Sequence, residues 1–201
     1  MFVQVIQGKV SDPAGMRAHM DTWVSTVGRG VEGWLGSTAG VTDDGTSVAV
    51  VRFESEEVAR RNSERPEQGE WWSTMSSYYD GEPTFHDCTI VDVDTYGDPD
   101  QAGFVQVMQG NVSDPGKARD LMAGDPTDWP SFRPDILGTL WASTEGGDWT
   151  MAIYFTSEAE AREGEQKEPP AEAAALMEEL NSLGTGEPSY LDLRDPWLVS
   201  P

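Results

Sequence analysis

Residues 70–79, EWWSTMSSYY, gather two tryptophans and two tyrosines into ten positions. Such a run offers a wide apolar surface with indole N–H and phenol O–H groups at its edge, the makings of a wall against a flat aromatic ligand. The same spacing supports a plainer reading. Trp72, Met75 and Tyr79 stand at i, i+3 and i+7, the core face of an amphipathic helix. His86 and Cys88 lie two apart, on one face of a strand. His86 suits either a catalytic role or a hydrogen-bonded histidine in apolar surroundings, and Cys88 reads as a small buried side chain. Gln4 and Gln106 sit in strands that should be covered on both faces. Each amide must therefore find a structural hydrogen bond or line a ligand cavity.

Other chemistries are not encoded. No phosphate-cradling or dinucleotide glycine fingerprint follows a strand into a helix. One cysteine and two histidines, without His-x-x-x-His spacing, give no zinc site, and no metal is expected. His86 and Asp87 are strand neighbours pointing to opposite faces, so they cannot form the base–orienter pair of a serine triad.

What positions these residues is a duplication. FVQVIQGKVSDP (2–13) returns as FVQVMQGNVSDP (104–115), identical at ten of twelve positions and 102 residues apart. The copies run in step through SEEVAR (55–60) and SEAEAR (157–162). From GEP (81–83 and 186–188) the offset is 105, which brings TFHDC (84–88) onto SYLDL (189–193). Each copy reads strand, helix opened by Ser-Asp-Pro, two strands about a turn, helices, and a last strand that runs Thr84–Val93 in the first copy. This is the β-α-β-β-α-β ferredoxin-like order. The expected organisation is a first repeat over 1–94, a linker over 95–103 and a second repeat over 104–201. Helices cover one sheet face, so the economical fold is an α+β tandem whose bare sheet faces pack into an intramolecular, pseudo-dimeric barrel.

The copies differ in decoration. EWWSTMSSYY faces EAAALMEELN (172–181), His86 faces Leu191, Cys88 faces Leu193, Arg52 faces Tyr154 and Asn62 faces Gly164. The second copy has instead a proline-broken segment, MAGDPTDWPSFRPD (122–135), readable as a lid or an irregular loop. The first repeat is therefore expected to carry the site.

The unit order, the strand–SDP–helix opening and the segment GWLGSTAGVTDDG…VRFESEEVARRNSERPEQGEWW resemble the dimeric α+β barrel superfamily. Within it the chain is similar to tandem antibiotic-biosynthesis-monooxygenase-like domains of bacteria. The resemblance covers about 190 residues. It implies cofactor-independent oxygenation of a small aromatic such as a phenol or anthrone, in the barrel cavity of the first repeat, with no cofactor. Relatives use an Asn, a Trp, a Tyr and an Arg. The matching types here are Asn62, Trp72, Tyr79 and Arg52. Asn62, Trp72 and His86 are the catalytic candidates, and Gln4, Arg52, Trp71, Tyr79 and Gln106 the ligand-binding ones. Haem chemistry is the weaker implication. Its Asn on the first strand is replaced by Gln4 and Gln7, and His86 sits on the last strand rather than the second helix. A barrel that binds a small molecule or a partner without turnover is the alternative.

Thirty-six acidic and 13 basic residues give a net charge of −23, spread evenly over both copies. Such a surface repels phosphate backbones and anionic lipid, so neither nucleic acid nor membrane is an expected partner. No apolar run approaches the ~18 residues of a membrane span, and the N-terminus lacks the layout of a signal peptide. A cytoplasmic protein is expected, either a monomeric pseudo-dimer or a homodimer of tandem chains.

Overall fold

Alternation in FVQVIQGK sets the first element. Strand β1 (Phe2–Lys9) turns Phe2, Gln4 and Ile6 to one face and Val3 and Val5 to the other. In the computed structural model, which describes residues 1–201 apart from the side chain of Arg29, this strand has a neighbour on both sides in its sheet. Asp12 then caps helix α1 (Pro13–Thr26), its Oδ1 accepting from the Gly15 amide at 2.9 Å, with Pro13 where its missing N–H costs nothing. Met16, Trp23 and Val27 form the buried stripe of this helix, while Val24 stays exposed. Strands β2 (Trp34–Val41) and β3 (Thr46–Phe53) make a hairpin whose turn uses Gly45 at φ +79°, a conformation that strains other residues.

Ser55 caps helix α2 (Glu56–Ser63), and Pro66 begins helix α3 (Pro66–Ser76). The aromatic run expected on one helix is divided. The helix ends at Ser76, and Tyr79 enters an isolated bridge with Val10. Strand β4 (Thr84–Cys88) follows. The last strand, expected to be continuous to Val93, breaks at Thr89, and β5 (Ile90–Thr95) joins a different sheet.

The second copy repeats the plan: β6 (Phe104–Asn111), α4 (Pro115–Ala123), the one-turn α5 (Trp129–Phe132), β7 (Ile136–Ser143), β8 (Asp148–Phe155), α6 (Glu158–Gly164), α7 (Ala171–Leu183) and β9 (Ser189–Leu193). The proline-broken segment 122–135 contains α5, in which Asp128 caps the turn and Trp129 Nε1 donates to Asp125. A final strand, β10 (Trp197–Val199), ends the fold.

Among the described residues the strands form two antiparallel five-stranded sheets, ordered β10-β2-β3-β1-β4 and β5-β7-β8-β6-β9. The chain is thus a tandem of ferredoxin-like units with exchanged edges. One unit comprises residues 1–87 and 197–201, and the other residues 88–196. In the first unit the core lies between the sheet and its helices. Ile6, Met16, Ala39, Met75, Tyr79 and Trp197 fill one half, and Phe2, Trp23, Trp34, Phe53 and Val58 the other. No helix among the described residues is long and apolar enough to cross a membrane.

Candidate functional site

The helix-facing side of the first sheet carries Phe2, Gln4 and Ile6 from β1, Ala49, Val51 and Phe53 from β3, and Ser37 and Ala39 from β2. Small residues dominate β2 there, so helices α1–α3 cannot close down completely. A cavity of about 310 Å³ remains between the sheet and these helices. This differs from the barrel interior that was expected. The cavity lies on the side of Gln4, under the unit's own helices, because alternation turns Val3 and Val5 away from it.

Phe2 and Phe53 form part of the floor. Trp71 and Trp72, half-buried on α3, form part of the helix side together with Met16, Met20 and Met75. Trp72 meets Tyr79 at 6.4 Å and the edge of Phe85 at 5.4 Å between ring centroids. Trp71 stacks on His19 at 4.9 Å, and its backbone oxygen lies 3.0 Å from His19 Nε2. The indole Nε1 of Trp71 is buried without a hydrogen-bond partner among the described residues. Asn62, 7% exposed, accepts through Oδ1 from Arg65 at 3.2 Å, which leaves its amide N–H₂ as a donor at the cavity. Burial pushes the pKa of the Tyr79 hydroxyl up, and a hydrogen bond with Ser47 offsets this only in part, so the phenol is neutral at ordinary pH.

At the polar end, Gln4 Nε2 donates to Asp87 Oδ1 at 2.9 Å. The second copy repeats this bond between Gln106 Nε2 and Asp192 Oδ1 at 3.0 Å. Asp87 was not singled out by sequence reasoning. The signal was present, since an aspartate stands at this place in both TFHDC and SYLDL.

Of the candidates, the cavity brings together Gln4, Asn62, Trp71, Trp72 and Tyr79. It does not include Arg52, His86 or Gln106. Arg52 alternates with the lining residues Val51 and Phe53 and so points to the other face, where its guanidinium packs against Gly36. His86 alternates with Asp87 and shares the face of the buried Cys88. Gln106 belongs to the second unit.

That unit has the same floor but covers it. Phe104 and Phe155, counterparts of Phe2 and Phe53, lie 5.8 Å apart. The Arg162 guanidinium sits 5.1 Å over Phe104 and binds Asp192, and Arg133 sits 5.6 Å over Phe155 and pairs with Asp135 through two nitrogens. In the first unit the counterpart of Arg133 is Val31. The counterpart of Arg162, Arg60, turns outward to Glu57 and Glu64.

A candidate monooxygenase from Lactobacillus acidophilus NCFM has a similar structure, with a TM-score of 0.76 at 11% identity over 99% of this chain and 95% of its own. A second, from Fusobacterium nucleatum, gives 0.73 at 10% identity over 99% and 94%. The chain has a monooxygenase-like tandem fold. An anthrone oxidase-like protein also shares this fold, with a TM-score of 0.66 at 11% identity over 98% and 92% of the two chains. At these identities the likeness is one of fold, because one monooxygenase-like scaffold hosts many chemistries. No protein-family model and no curated protein matches the sequence.

Proposed function

We propose that the first unit takes a small aromatic molecule into its cavity and that the reaction is cofactor-independent oxygenation. One observation carries this reading: an aromatic floor of the same type lines a cavity in the first unit and lies under two arginines in the second. A cavity kept by only one of two copies supports ligand accommodation there. The names given to the structural neighbours, candidate monooxygenases and an anthrone oxidase-like protein, support the class of reaction.

In such a reaction an activated methylene between aryl groups is converted by O₂ to a carbonyl, R₂CH₂ + O₂ giving R₂C=O and water. The substrate anion supplies the electrons, so the protein's tasks are to hold the flat substrate, exclude water and stabilise the anion's oxygen. Trp72 and Phe2 suit the first two tasks. The Asn62 amide suits the third.

Oxygen uptake with anthrone and with a simple quinol tests this. Trp72→Phe and Asn62→Ala are each expected to lower kcat by about a hundredfold, the scale of a lost oxyanion donor or misplaced substrate. Because neither Arg52 nor His86 is among the lining residues, a binding cavity without turnover is the second reading. It would show as thermal stabilisation by the aromatic without oxygen uptake.

A further inference from the structure

We propose that the natural ligand of the first unit's cavity carries a cationic nitrogen, seated over the Phe2 ring and paired with the Asp87 carboxylate. This rests on the reading of the cavity as an aromatic-binding site and specifies the class of aromatic.

The second unit displays the arrangement with an internal occupant. There one guanidinium meets ring and carboxylate at once: Arg162 lies 5.1 Å over Phe104 and is hydrogen-bonded to Asp192, while also holding Glu158 and Glu165 on its own helix side. Asp192 is held by Gln106 at 3.0 Å. The ring face and the carboxylate are therefore spaced to share a single cation. In the first unit this receptor is retained, with Phe2 for Phe104, Gln4 for Gln106 and Asp87 for Asp192, and the Gln4–Asp87 bond at 2.9 Å matches its counterpart. What is missing, among the described residues, is a side-chain cation in this place. Arg60 has the position of Arg162 but donates to Glu57 at 3.0 and 2.7 Å and to Glu64 on the other side, with its side chain 54% exposed. It is the one cationic side chain among the described residues of the lining, and those two carboxylates neutralise it.

This receptor, without a side-chain cation of its own among the described residues, belongs to a chain of net charge −23, whose field concentrates cations and depletes anions at its surface. Quadrupole attraction at Phe2 and the charge at Asp87 both favour a protonated amine or amidinium over a neutral or anionic group of the same shape. The rest of the cavity, lined by Trp71, Trp72, Met16 and Met75, accommodates an aromatic body.

Calorimetric titration of the full chain with three two-ring probes tests the proposal: 1-naphthylmethylamine, 1-naphthalenemethanol and 1-naphthoate. The amine is expected to bind at least about tenfold more tightly than the alcohol, about 1.4 kcal/mol, with the carboxylate weakest. Asp87→Asn, an exposed change that leaves the fold intact by circular dichroism, should bring amine and alcohol to parity. Trp72→Ala should weaken both. Equal binding of amine and alcohol, weakened alike by Trp72→Ala, would overturn the cation assignment and leave the aromatic cavity standing. Tighter binding of the amine that survives Asp87→Asn would overturn it too, since the preference would then belong to the overall acidic field. Binding of none of the three would remove both this proposal and the reading on which it rests.

Discussion

Asn62 and Gly164 hold the same position in the two copies, and the atoms around them explain why one floor is open. A Cβ at position 164 would lie 2.2 Å from Arg133 Nε, so the guanidinium reaches its place over Phe155 only because glycine leaves room. Arg133 and Asp135 are 8% and 6% exposed, and Arg133 also donates to the Ala161 carbonyl, so the pair is desolvated but satisfied. The first copy replaces both halves of this plug, with Val31 for the arginine and Asn62 for the glycine. The Asn62/Gly164 difference was legible in the sequence. Its meaning was not, because Gly164 and Arg133 are 31 residues apart and meet only in the fold. A second residue-level consequence concerns Asp92, which pairs with Trp141 across β5 and β7. Burial, then the charge of Asp94, raises its pKa, and Arg119 offsets this in part. The folded protein therefore binds this proton more tightly than the unfolded chain. Stability from this group falls as pH rises from the ordinary aspartate range near 3.9 through the raised value, and the penalty is present at pH 7. Asp92→Asn is expected to raise Tm at pH 7, with the gain vanishing near pH 3. Equal melting curves at pH 7 would show that Asp92 carries no such penalty.

Edge strands are where element-level expectation and structure part. The alternation of Thr84–Val93 says which residues share a face, but nothing in a period of two says which sheet edge a strand joins. Thr89 is the point of departure: β4 stays in the first sheet and β5 pairs with β7, while β10 returns to β2. The pairing partners are matched in size. Trp197 lies opposite Ala39, and Asp92, its counterpart in the repeat, lies opposite Trp141, the counterpart of Ala39. Returning each strand to its own copy would set Trp197 against Trp141 and Asp92 against Ala39, which crowds one sheet and leaves a void in the other. Trp197 is 6% exposed within the core of the first unit, with Arg17 5.2 Å over its ring. Trp197→Ala is expected to cost about 3–5 kcal/mol, the range for emptying a large aromatic site. Urea titration followed by circular dichroism measures it, and an unchanged midpoint would mean that β10 contributes little to the first unit.

At the scale of the molecule, duplication made the fold legible and half of the site with it. Two copies of one strand segment, offset by 102 residues, announce two units of one topology, and differences between the copies point to Asn62, Trp71, Trp72 and Tyr79. Phe2, Phe53 and Asp87 bear no such mark, because Phe104, Phe155 and Asp192 are of the same types. Asymmetry is blind to a part that both copies keep, and those parts form the floor and polar end of the cavity. The same asymmetry sets a stoichiometry. With the second floor covered by Arg133 and Arg162, calorimetry is expected to find one aromatic molecule per chain. A value of two would mean that those arginines yield to ligand.

The edge exchange also orders events during synthesis. Chains fold from the N-terminus as they emerge, at about 5–20 residues per second, and a unit closes when its last strand is available. Residues 88–196 form an unbroken stretch that can close by itself, whereas the first unit lacks an edge strand, a core tryptophan and one wall of its cavity, Val199, until residues 197–199 have been made. The half that begins first is therefore finished last. Its cavity is completed only on a polypeptide whose other half has already been translated, so an interrupted chain lacks the wall that Val199 supplies.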